Sequence, residues 1–545
     1  MAYLDTYTTP LTAAAAAHLL RRATFGPTQQ EISDFTGKTA AEAVDLLISN
    51  ASYRASPPPP VELDPARSDL GQPFMEKPFV NSLSYTYFGY IKNWWAGLMA
   101  EQNGHPSVLE KLAVFWQNHF VVIHSAVEDY RYMYRYLRLL RANALGNFRD
   151  LAIAITKDPA MLTFQNGNEN TREHPNENYA RELQEIFVVG QKDFYGNYNY
   201  TEQDVKTAAR VLTGWQTKNR RLEGSTTIDA VFNPDRHDIS DKTFSAKYNG
   251  TTIAGRTGSI AGDAEVADLI NMLVRHPESP KYICRRLYRY YVNPNVTQEI
   301  EDNVIVPLAA FFAGTSNNFA VAPLIRKLLT SQIFFDNRNV AAIIKSPAEL
   351  LVGTVRLFDM PIPDMVTDTA AFGRMTSHLS DNMKLLQLNL LDQPTVFGSP
   401  AYYQTGFSKN WINETLIGLR GRRTDTLVSS VIEIKPGQYI SIDILGRLRK
   451  IQPNFSDVAA SPAITTEQVL AEFTRHLFPM ELSQEQKDFL IDKILMMNSA
   501  ARATWLREWD AYRAAPGDTT KQSTILWRCR ALLRYLMRMA EYQLF

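Results

Sequence analysis

The segment Glu173–Gly190 reads Glu-His-Pro-Asn-Glu-Asn-Tyr-Ala-Arg-Glu-Leu-Gln-Glu-Ile-Phe-Val-Val-Gly and predicts an amphipathic helix. Asn176 suits the N-cap, because its side chain can accept a hydrogen bond from a backbone amide of the first turn. The apolar residues that share one helical face are Tyr179, Leu183, Ile186 and Phe187. Because this periodicity recurs along the chain, we expect a mainly α fold, a large multi-helix globular body with short β-ribbons.

Other helix starts carry capping boxes, in which a hydroxyl and a Glu three residues later satisfy each other's backbone amides. Such boxes begin at Thr28, Ser107 and Ser346, and Thr201 begins a similar helix that we expect Gly214 to close. Strand signals are local. They predict short ribbons near Gly250–Ile260 and a hairpin within Val431–Ile451, around Pro-Gly at 436–437.

Two breaks divide the chain into three segments. Ala55–Asp64 contains four consecutive prolines at 57–60, which impose an extended backbone, and Asp359–Thr369 is the second break. We therefore expect an N-terminal helical arm at residues 1–55, a central helical body with the candidate site at 65–358, and a C-terminal helical segment at 370–545 with the hairpin.

The composition limits the classes of partner. Lys+Arg and Asp+Glu both number 57 in the 545 residues, so no global field attracts nucleic acid or an anionic membrane. No apolar run reaches the roughly 18 residues of a membrane span. The apolar run Leu11–Leu20 precedes Arg21 and Arg22, whereas a secretory signal places its positive charge first. We expect a cytoplasmic protein, with export in the company of a partner left open.

Motifs for nucleotide binding and nucleophilic catalysis are missing from the sequence. There is no P-loop, no G-x-S-x-G elbow and no H-E-x-x-H. The chain has two cysteines, too few for a disulfide scaffold, and Cys284 lies in a periodic helix as a core residue would. Candidate chemistry therefore rests on histidines and carboxylates.

Three places carry such residues. His119 falls on an apolar helical face with Leu112 and Trp116, where it is either a core histidine or a metal ligand. In the helix at Glu173–Gly190, Glu177 and Arg181 are four residues apart, the spacing of an ordinary helix ion pair.

Glu182 borders the apolar face of that same helix and is a candidate ligand or a carboxyl of raised pKa. His237 and Asp238 lie in a loop, where either a turn or a site accounts for them.

The chain resembles the domain-of-unknown-function 1800 family, in the form common in Bacteroidetes-like bacteria. The blocks that carry the likeness follow one order: His18–Pro27, Phe115–Phe120, Lys157–Met161, Pro175–Leu183, Tyr200–Val205, Ala208–Trp215, His237-Asp238 with Lys242–Phe244, Cys284–Val292 and Ser346–Glu349. Gln117 stands where the family often has a second histidine, and Gln393–Trp411 matches loosely. The resemblance implies no reaction, but it implies genomic company with an exported sulfatase- or phosphatase-like protein.

Two functions are consistent with these residues. In the first, His119, Glu182 and His237 converge on a divalent metal, zinc or non-haem iron, which activates water or oxygen. Glu177 and Asp238 would support that site, and Arg181 would orient an anionic substrate group. In the second, the chain is a non-catalytic helical interaction or structural subunit that partners the exported sulfatase/phosphatase-like protein. The polar residues of Glu173–Gly190 are then a buried network that fixes helix packing.

Overall fold

Most of the regular secondary structure is helical, as the sequence predicts. The structure is a computed structural model that describes residues 3–101, 104–402, 407–497 and 501–545. Helices make up 56% of it and strands 5%, which confirms the mainly α class. The N-terminal segment contains α1 Ala13–Ala23, α2 Gln29–Phe35, α3 Ala40–Ser49 and α4 Ala51–Arg54.

The central segment contains the helices from which the candidate site is built. They are α5 Ser84–Ala100, α6 Leu109–His119, α7 His124–Val127, α8 Tyr130–Asn143, α9 Phe148–Thr156, α10 Pro159–Phe164, α11 Glu177–Glu182, α12 Glu202–Val211, α13 Ala261–Val274, α14 Ser279–Tyr291, α15 Gln298–Ile300, α16 Val306–Ala313, α17 Val321–Leu329 and α18 Pro347–Leu357. Two of them continue as π-helical turns, α11 through Leu183–Val188 and α15 through Glu301–Ile305. Each π turn inserts one extra residue per turn and so shifts the face that follows it.

The C-terminal segment is also helical. It contains α19 Thr369–Leu385, α20 Glu414–Val428, α21 Ile444–Ile451, α22 Thr466–Thr474, α23 Gln484–Phe489, α24 Arg502–Ala514 and α25 Thr519–Leu536. A further π turn, Leu490–Leu495, follows α23. Of the loosely matching block Gln393–Trp411, residues 403–406 lie outside the described residues.

The described strands form three antiparallel two-stranded ribbons. These pair β1 Trp215–Lys218 with β2 Asp229–Phe232, β3 Lys242–Thr243 with β4 Thr252–Ile253, and β5 Ile432–Lys435 with β6 Gln438–Ile440. The hairpin around 436–437 is confirmed, but it is shorter than predicted. The second half of the predicted segment Val431–Ile451 forms the helix α21 instead, because Asp443 accepts a hydrogen bond from the Gly446 amide (2.9 Å) and caps a helix there.

The predicted capping boxes form at Thr28, Thr201 and Ser346 but not at Ser107. Helix α6, which follows Ser107, starts at Leu109, and the side chain of its N-cap residue does not cap it. Glu110 instead accepts hydrogen bonds from the Trp95 indole (2.8 Å) and the Arg141 guanidinium (2.8 Å). This buried ion pair binds the carboxylate more strongly than a backbone amide can, so the tertiary contact overrides the local motif.

Buried apolar side chains from all three predicted segments belong to one core, which includes Leu19, Trp116 and Trp505. The division into three segments stays a prediction, since a shared core neither requires nor forbids it. In the described parts of the chain, no helix combines the length and the apolar character needed to cross a membrane.

Candidate functional site

His119 is the last residue of α6, and its ring is surrounded by aromatic side chains. Its ring is 1% exposed, and Nε2 lies 2.7 Å from the carbonyl oxygen of Phe187, in the π turn after α11. A carbonyl can only accept, so Nε2 carries the proton and Nδ1 keeps its lone pair. Nδ1 is buried and has no hydrogen-bond partner among the described residues. Burial, and then the nearby Arg286 charge, hold the pKa of His119 well below its usual 6.5, so the ring is neutral.

Glu182 ends α11 at the edge of the core and is partly exposed. Its Oε2 is buried without a hydrogen-bond partner, and among the described residues no ion pair involves this carboxylate. Burial first, and then the neighbouring Glu185, raise the pKa of Glu182 from 4.5 to about 7. The direction of this shift agrees with the candidate role of Glu182 as a carboxyl of raised pKa, and no polar partner for it is observed among the described residues.

Glu177 and Arg181 form the predicted helix pair as part of a surface network. The Arg181 guanidinium binds Glu202 of α12 through two bonds of 2.7 and 2.8 Å, and Glu177 through a longer one of 3.2 Å. All three side chains are at least one third exposed. The bidentate bond therefore ties α11 to α12, and Arg181 is already paired with a carboxylate of this chain.

His237 is fully buried in a three-way contact that sequence reasoning missed. Nδ1 donates to the Thr213 carbonyl (2.9 Å), and Nε2 lies 3.1 Å from the Glu265 carboxylate of α13. Gly214 makes this approach possible: it has a φ of +96°, and a Cβ there would lie 2.8 Å from the Phe232 ring. The same Cβ would lie 3.3 Å from the Cβ of His237, so the loop that carries His237 packs closely against Gly214.

Glu265 is the centre of this buried network, since its second oxygen binds the Lys242 ammonium at 2.6 Å and its first accepts the Arg256 amide at 2.7 Å. The Glu265 and Lys242 side chains are both 0% exposed. Burial alone would raise the pKa of Glu265, but His237 and Lys242 outweigh it and hold this pKa below its usual value. The sequence could have indicated this buried carboxylate, because Glu265 interrupts the apolar face of α13 beside Val266 and Leu269.

Asp238 points away from this network towards α12. Its carboxylate binds the Arg210 guanidinium at 2.7 Å and accepts the Ser240 amide at 2.9 Å. Burial acts to raise the pKa of Asp238, but these bonds outweigh it and lower the pKa to about 2. Asp238 is thus an ionised carboxylate that anchors its loop.

The metal centre expected from the sequence finds no support in the part of the chain that the structure describes. Over those residues, no three His, Cys, Asp or Glu side chains are grouped so that they could hold a metal ion. The convergence of His119, Glu182 and His237 therefore stays a prediction: each histidine contacts another buried group, Phe187 for one and Glu265 for the other.

A second polar cluster, also missed, lies between α1, α6, α18 and α20. We call it the Glu349 cluster, and it comprises Arg21, Arg22, Lys111, Lys345, Glu349 and Arg420. Each of these side chains is no more than 8% exposed. The available signal was that the blocks His18–Pro27 and Ser346–Glu349 both belong to the family pattern and both carry charges inside apolar surroundings.

The fold and these networks define a mainly helical protein in which His119, His237 and Asp238 lie in separate polar contacts. The chain belongs to the DUF1800 family, described as a protein of unknown function, whose model matches residues 18–544. The family resemblance drawn from the sequence blocks is therefore confirmed, whereas a bacterial origin stays a prediction. No curated protein and no solved structure matches the chain.

Proposed function

We propose that the chain is a non-catalytic helical interaction or structural subunit, the second of the two functions that the sequence allows. The observation that carries this proposal is that His119, His237 and Arg181 make separate polar contacts, each linking two parts of the chain. His119 links α6 to the π turn after α11, and Arg181 links α11 to α12. Such polar contacts between separate elements fix one packing arrangement of helices, which a rigid binding surface requires.

The proposed partner is a sulfatase- or phosphatase-like protein, which the family resemblance implies. Arg181 has two carboxylate partners within the chain, so the role of orienting an anionic substrate loses its main support. The neutral overall charge gives the chain no general attraction for anionic polymers, so a partner would be recognised by shape and local contacts.

Metal content separates this proposal from the metal-dependent enzyme. The full chain is purified without added metal, then incubated with zinc or ferrous iron, dialysed and analysed by elemental mass spectrometry. We expect substoichiometric metal, with the same content in wild type and in His237→Gln. One tightly held ion per chain that is lost in both His119→Gln and His237→Gln would overturn the proposal and restore the enzyme.

Partner binding is measured directly with purified proteins. The chain is mixed with the sulfatase- or phosphatase-like protein and the mass of the mixture is determined by light scattering after size exclusion. We expect a complex of defined stoichiometry, and no complex with an unrelated hydrolase of similar size and charge. Two separate monomer peaks at micromolar concentrations of both proteins would contradict the subunit role.

A further inference from the structure

The Glu349 cluster contains more buried positive charge than the single carboxylate within it can balance. Glu349 uses one oxygen to pair with the Lys111 ammonium and the other to accept the Ser346 amide. The three arginines are held by neutral groups instead. Arg22 and Arg21 donate to backbone carbonyls, and Arg420 donates to the Gln543 side chain (2.7 Å) and the Lys345 carbonyl (2.9 Å).

Lys345 is the member of this cluster that lacks a polar partner. It is 8% exposed, and its Nζ lies 3.8 Å above the centre of the Tyr542 ring. No hydrogen bond or ion pair joins this ammonium to a described residue. Its backbone is fixed on both sides, since its amide donates to Gln543 (2.8 Å) and its carbonyl accepts from Arg420. The orphaned ammonium is therefore held in place by the fold.

A small cavity borders the Lys345 side chain. Arg21, Glu349, His476 and Tyr542 also line it, and its volume is about 30 Å³. One water needs roughly 10–15 Å³ on this measure, so the cavity holds about two water-sized groups. Arg21 and His476 also line a surface groove of about 670 Å³, which places the cavity next to solvent.

We propose that this cavity binds a small carboxylate, whose two oxygens fill it and pair with the Lys345 ammonium beside Arg21. A carboxylate supplies both the volume and the negative charge that the cluster lacks. A water molecule would satisfy the hydrogen bonds of Nζ but would leave the charge unbalanced once the amine is protonated. The site and its ligand class are independent of the subunit role proposed above.

Binding to this site is coupled to protonation of Lys345. In the empty cavity, burial first, and then Arg21 of α1 and Arg420 of α20, lower the pKa of Lys345 well below 10.5, against the smaller opposing effect of Glu349 in α18. The other titratable side chains that line the cavity are His476 and Tyr542. A bound carboxylate raises the pKa of Lys345 again, so the ligand enters together with a proton whenever the amine starts neutral.

The test uses sodium acetate as the probe, with sodium chloride at equal ionic strength as the reference, on the full chain. Thermal unfolding is measured for wild type, for Lys345→Met and for the control Lys450→Met, which removes an exposed lysine of α21. We expect acetate to raise the Tm of wild type and of the control with increasing concentration, but not that of Lys345→Met. Equal effects of acetate and chloride on wild type, or an acetate effect that survives in Lys345→Met, would overturn the proposal.

A second measurement on wild type alone guards against a variant that does not fold. Calorimetric titration with acetate is run across pH in two buffers of different ionisation enthalpy. We expect proton uptake on binding, with affinity falling about tenfold per pH unit above the pKa of Lys345 in the empty cavity. Absence of binding, or binding that neither takes up protons nor changes with pH up to the range where lysine is normally neutral, would also overturn it.

Discussion

Replacing Glu265 with glutamine isolates the buried network around His237. The amide keeps the shape of the carboxylate but removes its charge, which leaves the Lys242 ammonium as a cation without an anion at 0% exposure. Breaking a buried ion pair by removing one partner costs about 3–5 kcal/mol. The short contacts of 2.6 Å to Lys242 and 2.7 Å to the Arg256 amide place Glu265→Gln in that range.

The assay is a double-mutant cycle of Glu265→Gln and Lys242→Met, read as urea unfolding followed by tryptophan fluorescence. We expect the double variant to cost less than the sum of the single variants, because it no longer leaves a buried charge without its partner. The matched control is Glu177→Gln, a partly exposed carboxylate whose loss should cost no more than about 1 kcal/mol.

The ion pair of Glu265 and Lys242 also predicts that the folded protein loses stability at acid pH. Since the folded pKa of Glu265 is lower than the unfolded one, its contribution is complete above the unfolded pKa and is lost as the pH falls through the folded pKa. Wild type should therefore lose more stability than Glu265→Gln on acidification below about pH 4.5. A Glu265→Gln variant within about 0.5 kcal/mol of wild type, or strictly additive costs in the cycle, would refute the reasoning.

Three further changes test the remaining contacts. Wild type should lose stability as the pH rises from 4.5 to about 7, because the partly buried Glu182 carboxyl, whose pKa is raised, is then forced to ionise. Glu182→Gln should not show this loss, and parallel Tm profiles of the two proteins across this range would contradict the prediction. His119→Leu should cost about 1–3 kcal/mol in urea unfolding, since the Phe187 carbonyl loses its donor, and a variant as stable as wild type would mean that this bond contributes little. Gly214→Ala should cost at least about 1–2 kcal/mol from its positive φ alone, with a further cost from the 2.8 Å approach to Phe232; an unchanged Tm would show that the loop moves freely.

Much of the fold could be predicted because helix signals are local. Thr201 and Asp204 satisfy each other's amides within one turn, so their pattern alone places the start of α12. Ser107 and Glu110 have the same spacing, but Arg141 lies 31 residues beyond Glu110 and takes its carboxylate. A local pattern therefore predicts a cap correctly only where no stronger tertiary partner competes for the same group.

The candidate site was harder to predict because the role of a histidine depends on what each ring nitrogen meets. His119 and His237 are of the type that ligates metals, and both are buried as a ligand would be. What distinguishes them is non-local: a carbonyl 68 residues away from His119 and a carboxylate on α13 for His237. Residue type and spacing within a block contain neither of these partners.

Lys345 also shows that local sequence does not determine which partner a charged side chain meets. Lys345 and Glu349 are four residues apart, and by sequence alone Glu349 is both the capping acid of α18 and the nearest anion for that lysine. The fold gives the free oxygen of Glu349 to Lys111 instead, which lies 238 residues before Glu349. The lysine is thus orphaned by a contact made elsewhere in the chain. A ligand site of this kind arises because the folded chain leaves one buried charge unbalanced. The local sequence cannot show which charge that will be, because it does not show which residues the charge meets in the fold.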